Sequence, residues 1–83
     1  MPVGVVIELS GFGHKAGRIA VEVEPVINLA VIQVRKKLVQ RGVSTPYMLY
    51  WNGRFVGGDK SRGWVDEVAD GDVFRVIPVV SGG

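Results

Sequence analysis

Apolar residues recur at every second position on both sides of one segment, residues 28–41, inside which they recur every three to four. A strand returns to the same face every two residues and a helix about every 3.6, so this switch takes the chain from sheet to helix and back. Before the switch, Val3, Val5, Ile7 and Leu9 share one face of a strand whose other face carries Gly4, Val6 and Glu8. From Arg18 to Glu24, Ile19, Val21 and Val23 alternate with Ala20, Glu22 and Glu24. The glycine-rich stretch Ser10 to Gly17 joins the two as a hairpin, and Pro25, which has no N–H to donate, stops the second strand.

Within the switched segment Val31, Val34 and Leu38 line one side of an amphipathic helix, with Ile27 one turn earlier. Asn28 is the expected N-cap and Gly42 the expected C-terminal stop. Lys36, Lys37 and Arg41 sit in the last turns, where the helix dipole favours cations. Valine and isoleucine are mediocre helix formers, so burial against a sheet must hold this helix. Thr45-Pro46 then returns the chain to an extended path. Tyr47 to Trp51 reads as an aromatic strand, Asn52-Gly53 as a tight hairpin turn and Arg54 to Val56 as a short return strand. Residues 57–63 read as loop, Trp64-Val65 with Val68 as a short buried turn, and residues 69–72 as a second turn. Val73 to Val80 is the final strand, with Phe74 and Val76 inward and Val73, Arg75 and Ile77 outward. The expected architecture is α+β: one helix packed on a mixed sheet of four to five strands. The first and last strands are expected to run parallel at the centre, with pairing failing at Pro78.

At 83 residues and 9.0 kDa the chain is one domain, and a hydrophobic share of 47% supplies a core. There is no cysteine, which excludes disulfides, thiolate nucleophiles and cysteine-held metals. His14 is the only histidine and cannot hold a metal alone. It reads as a solvated loop residue, since no serine or carboxylate is tied to it by a catalytic spacing. The formal charge of +2, from 10 basic and 8 acidic side chains, is too small an excess to point to nucleic acid. No apolar run reaches membrane-spanning length, and Met1-Pro2-Val3 lacks a basic leader, so the expected location is the cytoplasm.

The sequence given closes on Val79-Val80-Ser81-Gly82-Gly83. Residues 1–80 are expected to form the body and 81–83 a flexible tail. Glycine has no Cβ, so such a thread can enter a narrow slot and leave a terminal carbonyl open to attack. An idle frayed end is the plain alternative.

Taken in order, these residues resemble the ubiquitin-like, β-grasp superfamily over essentially the whole chain. Val21-Glu22-Val23-Glu24-Pro25 resembles the end of the second strand of ubiquitin, and Leu49-Tyr50-Trp51-Asn52-Gly53-Arg54 its third strand and following turn. Asp70-Gly71-Asp72-Val73, leading into Val76-Ile77-Pro78-Val79-Val80-Ser81-Gly82-Gly83, is closer to the prokaryotic sulfur carriers and small archaeal modifiers. The resemblance implies a carrier or modifier rather than an enzyme. A separate ubiquitin-activating-type enzyme, using ATP and Mg, would adenylate the Gly83 carboxylate. The acyl end would then become a thiocarboxylate for a sulfur-accepting enzyme or be joined to lysines of target proteins. Gly82 and Ser81 would be presented with Gly83 to the activating enzyme. The alternative is a non-covalent ubiquitin-like interaction module with an idle tail.

The resemblance also places Tyr50 and Ile77, with Arg75 and loop residue Phe12, on a partner-docking surface. Against this, Tyr50 could simply cover sheet surface. Residues 11–17 read as a hairpin loop rather than a phosphate cradle, because no helix follows them. Arg35, Lys36, Lys37 and Arg41 read as a solvated helix face, and Asp66, Glu67, Asp70 and Asp72 as turn chemistry rather than a metal or acid–base site. Lys15, Lys36, Lys37 and Lys60 are the lysines that chain linkage would use. Tyr47, Tyr50 and Trp51 near Arg54 are the aromatics a nucleic-acid binder would stack on.

Overall fold

The computed structural model describes residues 1–13, 16–57 and 64–79. The elements are β1 (Val3–Leu9), β2 (Gly17–Val23), α1 (Ile27–Gln40), β3 (Tyr47–Trp51), β4 (Arg54–Phe55) and β5 (Val73–Pro78). They form an α+β structure in which α1 packs on one face of a five-stranded mixed sheet of order β2-β1-β5-β3-β4. β1 and β5 are parallel and the other pairs antiparallel, so β5 lies in the middle of the sheet.

Register builds transverse rows on each face. On the helix side Ile19, Ile7, Phe74 and Trp51 lie side by side across four strands, with Leu9, Val76 and Leu49 in the next row. Ile7, Phe74 and Val76 are fully buried, and Ile27, Ala30, Val31, Val34 and Leu38 of α1 close over them. On the open side one row crosses the whole sheet: Arg18, Glu8, Arg75, Tyr50 and Phe55.

The helix starts two residues earlier than the capping pattern suggests. Its N-cap is Val26, with no side-chain cap, and Asn28 lies inside the first turn with a buried Oδ1 that has no hydrogen-bond partner. The start is held from outside the helix instead. Ile27 N–H donates to Asp66 C=O at 3.0 Å and Val68 N–H to Pro25 C=O at 2.9 Å, either side of a bridge between Val26 and Glu67. Val68 is buried beneath this bridge, but Val65, expected to be buried with it, is 82% exposed. At the other end Gly42 takes φ +80° and its N–H bonds Val39 C=O, while Val43 N–H reaches Leu38 C=O. These two bonds and the buried Val43 make a Schellman stop.

Pro78 interrupts pairing on one side only. The ladder with β1 ends at Val76, whereas Pro78 still pairs with Tyr47 of β3. Val79 N–H donates to Pro46 C=O at 2.9 Å, so Tyr47 and Pro78 form a non-hydrogen-bonded pair and the proline nitrogen faces the side where β1 has ended. Gly11, at φ +83°, crosses there: a Cβ on it would lie 3.2 Å from Pro78 Cδ.

Asp72 closes the other end of the sheet. Its Oδ2 accepts from Trp51 Nε1 and from Ala69 N–H, each at 2.9 Å. Asp70 Oδ1 accepts from Gly4 N–H at 2.8 Å. Both carboxylates are thus turn chemistry. Burial raises the pKa of Asp72, but bonds from Ala69, Trp51 and Asn52 outweigh it and hold the carboxyl below its ordinary value of 3.8. A carboxyl that is more acidic when folded stabilises above its unfolded pKa, and this stability is lost as pH falls through the lower folded value. Asp72→Ala leaves the part-buried Trp51 donor unpaired, while the exposed Ala69 N–H turns to water, and is expected to cost about 1 kcal/mol near neutrality. It should also shrink the loss of stability on acidification below about pH 4. Urea midpoints of both proteins across that range are the measurement.

Candidate docking face

Alternation on β3 and β5 sends Met48, Tyr50, Val73, Arg75 and Ile77 to the side away from α1. There, Tyr50, Arg75 and Ile77 line a concave groove of about 480 Å³ with Glu8, Asn52, Gly53 and Val73. The hairpin tip makes one end of it. Asn52 and Gly53 take φ +49° and +86°, the left-handed pair of a type I′ turn. Asn52 N–H donates to Val73 C=O at 2.9 Å, and Val73 N–H donates to Asn52 Oδ1 at 3.0 Å, so the tip is pinned to the start of β5.

Across the groove floor the side chains are held by one another. Glu8 Oε1 accepts from Arg75 at 3.0 Å (Nη2) and 3.1 Å (Nε), and Glu8 Oε2 is 3.2 Å from Arg18 Nη2. Two guanidinium groups therefore share one carboxylate across three strands. Each pair is exposed enough to contribute little to stability, yet together they fix where the Arg75 cation stands. Beside it the Tyr50 and Phe55 rings meet at 5.6 Å between centroids, tilted by 59°. The Tyr50 hydroxyl points at Met48 Sδ, 3.7 Å away. The result is an apolar wall (Tyr50, Phe55, Val73, Ile77) with a fixed cation at its side. That combination suits a partner side chain with an apolar body and an acidic neighbour.

Three of the expected docking residues, Tyr50, Arg75 and Ile77, are thus brought to one groove. Phe12 is not among its lining: it is half-buried and packs against the hydrophobic core. Ser81, Gly82 and Gly83 lie outside the described residues, as do His14, Lys15 and Lys60. Glu8, Asn52, Val73 and Phe55 were missed by sequence reasoning. Glu8 shows only as a polar position in an alternating strand, and nothing local announces that β1 will lie against β5 in the register that pairs it with Arg75.

The aromatic platform expected of a nucleic-acid binder is not formed. Tyr47 and Trp51 share the helix-facing side with Leu49, and Trp51 is 9% exposed. Burial pushes the Tyr47 phenol above its ordinary pKa despite the opposing Arg35 guanidinium. Arg54 stacks on Trp64, 3.9 Å from the ring centroid, and stands 3.7 Å from Asp66, on the same side. Among the described residues no group of three or more His, Cys, Asp and Glu could hold a metal ion. No helix among them is long and apolar enough to cross a membrane. Comparison with protein-family models finds no match, and comparison with curated proteins finds none either.

Proposed function

We propose that this chain is a β-grasp carrier or modifier whose Gly83 carboxylate is activated by a separate adenylating enzyme. The observation that carries the reading is the position of β5. It is the central strand, fastened on both sides, and it leads in sequence to Ser81-Gly82-Gly83. Ser10 N–H donates to Val76 C=O and Val79 N–H to Pro46 C=O, so the strand is tied to both neighbours close to its end. From that anchor four extended residues reach at most about 14 Å, enough to enter a slot while the body stays outside. One helix on a mixed sheet with parallel first and last strands is also compatible with the β-grasp arrangement.

The chemistry follows from the terminal group. An α-carboxyl has a pKa of about 3.3–3.7, so it is ionised at neutrality and can attack the α-phosphorus of ATP with loss of pyrophosphate. The acyl-adenylate then loses AMP to a sulfur nucleophile or to an amine, the latter directly or through a thioester on the partner. The groove at Tyr50, Arg75 and Ile77 supplies the docking contact that brings the partner to the tail.

Intact mass after incubation with ATP and an extract of the source cells tests this. Sulfur carriage appears as the mass difference between sulfur and oxygen at the C-terminus, and conjugation as attachment to larger proteins through the tail. Because the chain has no cysteine, iodoacetamide reports a terminal thiocarboxylate alone. This separates it from oxidation of Met1 or Met48, which adds nearly the same mass. An unchanged mass and no conjugates would sink the reading.

The groove itself favours a second reading, a non-covalent module that docks a partner on the open face. Tyr50→Ala distinguishes the two when compared with deletion of Gly82-Gly83. A module loses partner binding in Tyr50→Ala by about tenfold or more and is indifferent to the tail. A carrier is impaired by both, and more by the tail deletion. Pull-down with the activating enzyme and with groove-binding partners reads the difference.

A further inference from the structure

We propose that the outward face of α1 is a second docking surface, built to take an acidic amphipathic helix of a partner protein. The inward face of α1, from Ile27 to Leu38, accounts for its packing on the sheet. The opposite face is not polar. Leu29 is 46%, Ile32 51% and Val39 73% exposed. A single exposed aliphatic residue is ordinary, but these three lie on one side of one helix. Ile32 and Val39 are seven residues apart, and the exposed Lys36 stands four from one and three from the other, so the three make one contiguous patch, with the half-buried Arg35 at its edge. Leu29 extends it one turn toward the N-terminus. Lysine stems can cover apolar neighbours, but the exposures of Ile32 and Val39 show that they remain open.

Charge selects the occupant. Between residues 27 and 41 there are four cations (Arg35, Lys36, Lys37 and Arg41) and no carboxylate. Taking these from the 10 basic side chains leaves six against 8 acidic ones, so positive charge is concentrated on this helix. None of the four cations forms an ion pair among the described residues. An acidic partner gains there, while a second copy would set four cations against four. The stripe from Leu29 to Val39 is about 15 Å long and follows helical spacing, so a second helix with anchors at i, i+3 and i+7 can lie along it. Three aliphatic side chains with no aromatic anchor make a poor foothold on a lipid interface. None of these residues lines the groove on the open face of the sheet, so the surface is independent of the tail and of the groove.

The probe is a synthetic fluorescent helix-forming peptide with leucines at i, i+3 and i+7 flanked by glutamates, titrated into the intact protein. NMR shifts are expected at the amides of Leu29, Ile32, Lys36 and Val39. Affinity should weaken about tenfold in the double variant Lys36→Glu, Lys37→Glu, and comparably in Ile32→Asp. All these positions are surface ones, so unchanged melting confirms that the variants fold. Four outcomes overturn the proposal: no shifts at millimolar peptide; shifts centred on the sheet; equal binding by the charge-reversed variant or by a scrambled peptide of the same charge; or displacement of the peptide by phosphatidylserine vesicles or by self-association of the protein.

Discussion

Deleting Gly83 abolishes ATP-dependent activation and leaves the melting temperature unchanged: this is the expected result of the simplest truncation. The two halves of that expectation have separate causes. Activation fails because the carboxylate then sits one residue short, on Gly82, and an active-site slot that positions a reacting carbonyl tolerates misplacement of only about an ångström. Stability is expected to be untouched because the described core, from Val5 to Val76, is made by the body of the chain. Adenylate formation, followed as pyrophosphate release in the presence of the activating enzyme, gives the first half. A thermal melt gives the second. Full adenylation of the truncated chain means that the carboxylate of Gly83 is not the reacting group, and the groove-docking reading then stands alone. A lowered melting temperature would instead mean that the tail packs on the body.

How much of this was legible beforehand depends on how local each signal is. β1 is legible to its end residues because Val3, Val5, Ile7 and Leu9 fall on one face, although Val6 makes the alternation only partial. The helix face is legible because Val31, Val34 and Leu38 recur at helical spacings of three and four, and the Asn52-Gly53 turn because few other residue pairs accept two left-handed positions. The central parallel placing of β1 and β5 followed from the apolar run Val76 to Val80 and from the order of elements. Where tertiary contacts replaced local chemistry, the reading failed. Asn28 has the right side chain to cap a helix, but Asp66 and Val68 hold the helix start by backbone bonds from 39 and 43 residues along the chain, and no side-chain cap is used. Phe12, a loop residue, is half-buried and packs on the core, a contact that no local signal announces. The groove was half legible: alternation sends Tyr50, Arg75 and Ile77 outward, but only the cross-strand register brings Glu8 to Arg75 and Phe55 to Tyr50.

The largest stability effect is expected from Phe74→Ala. Phe74 is fully buried near the start of the central strand, level with Ile7 on one side and Trp51 on the other. Truncating a buried phenylalanine costs about 3–5 kcal/mol, because lost burial adds to the cavity left behind. A domain of this size has only about 5–15 kcal/mol to lose, so much of the total goes. At about 4–8 °C per kcal/mol, the melting temperature should fall by roughly 12 °C or more. Phe74→Leu, which keeps most of the volume, should cost only about 1.5 kcal/mol, and Phe55→Ala, on a ring 38% exposed, about 1 kcal/mol. Urea unfolding with an unchanged slope measures all three. A loss below about 1 kcal/mol for Phe74→Ala would show that β5 is not the keystone of the sheet. The consequence for function differs from that of the tail deletion. Phe74 stands between Val73 and Arg75, both in the groove lining, on the strand that leads toward the tail. On the proposed reading, loosening it is expected to weaken partner docking and tail presentation together, whereas removing Gly83 should take away the chemistry and leave docking intact.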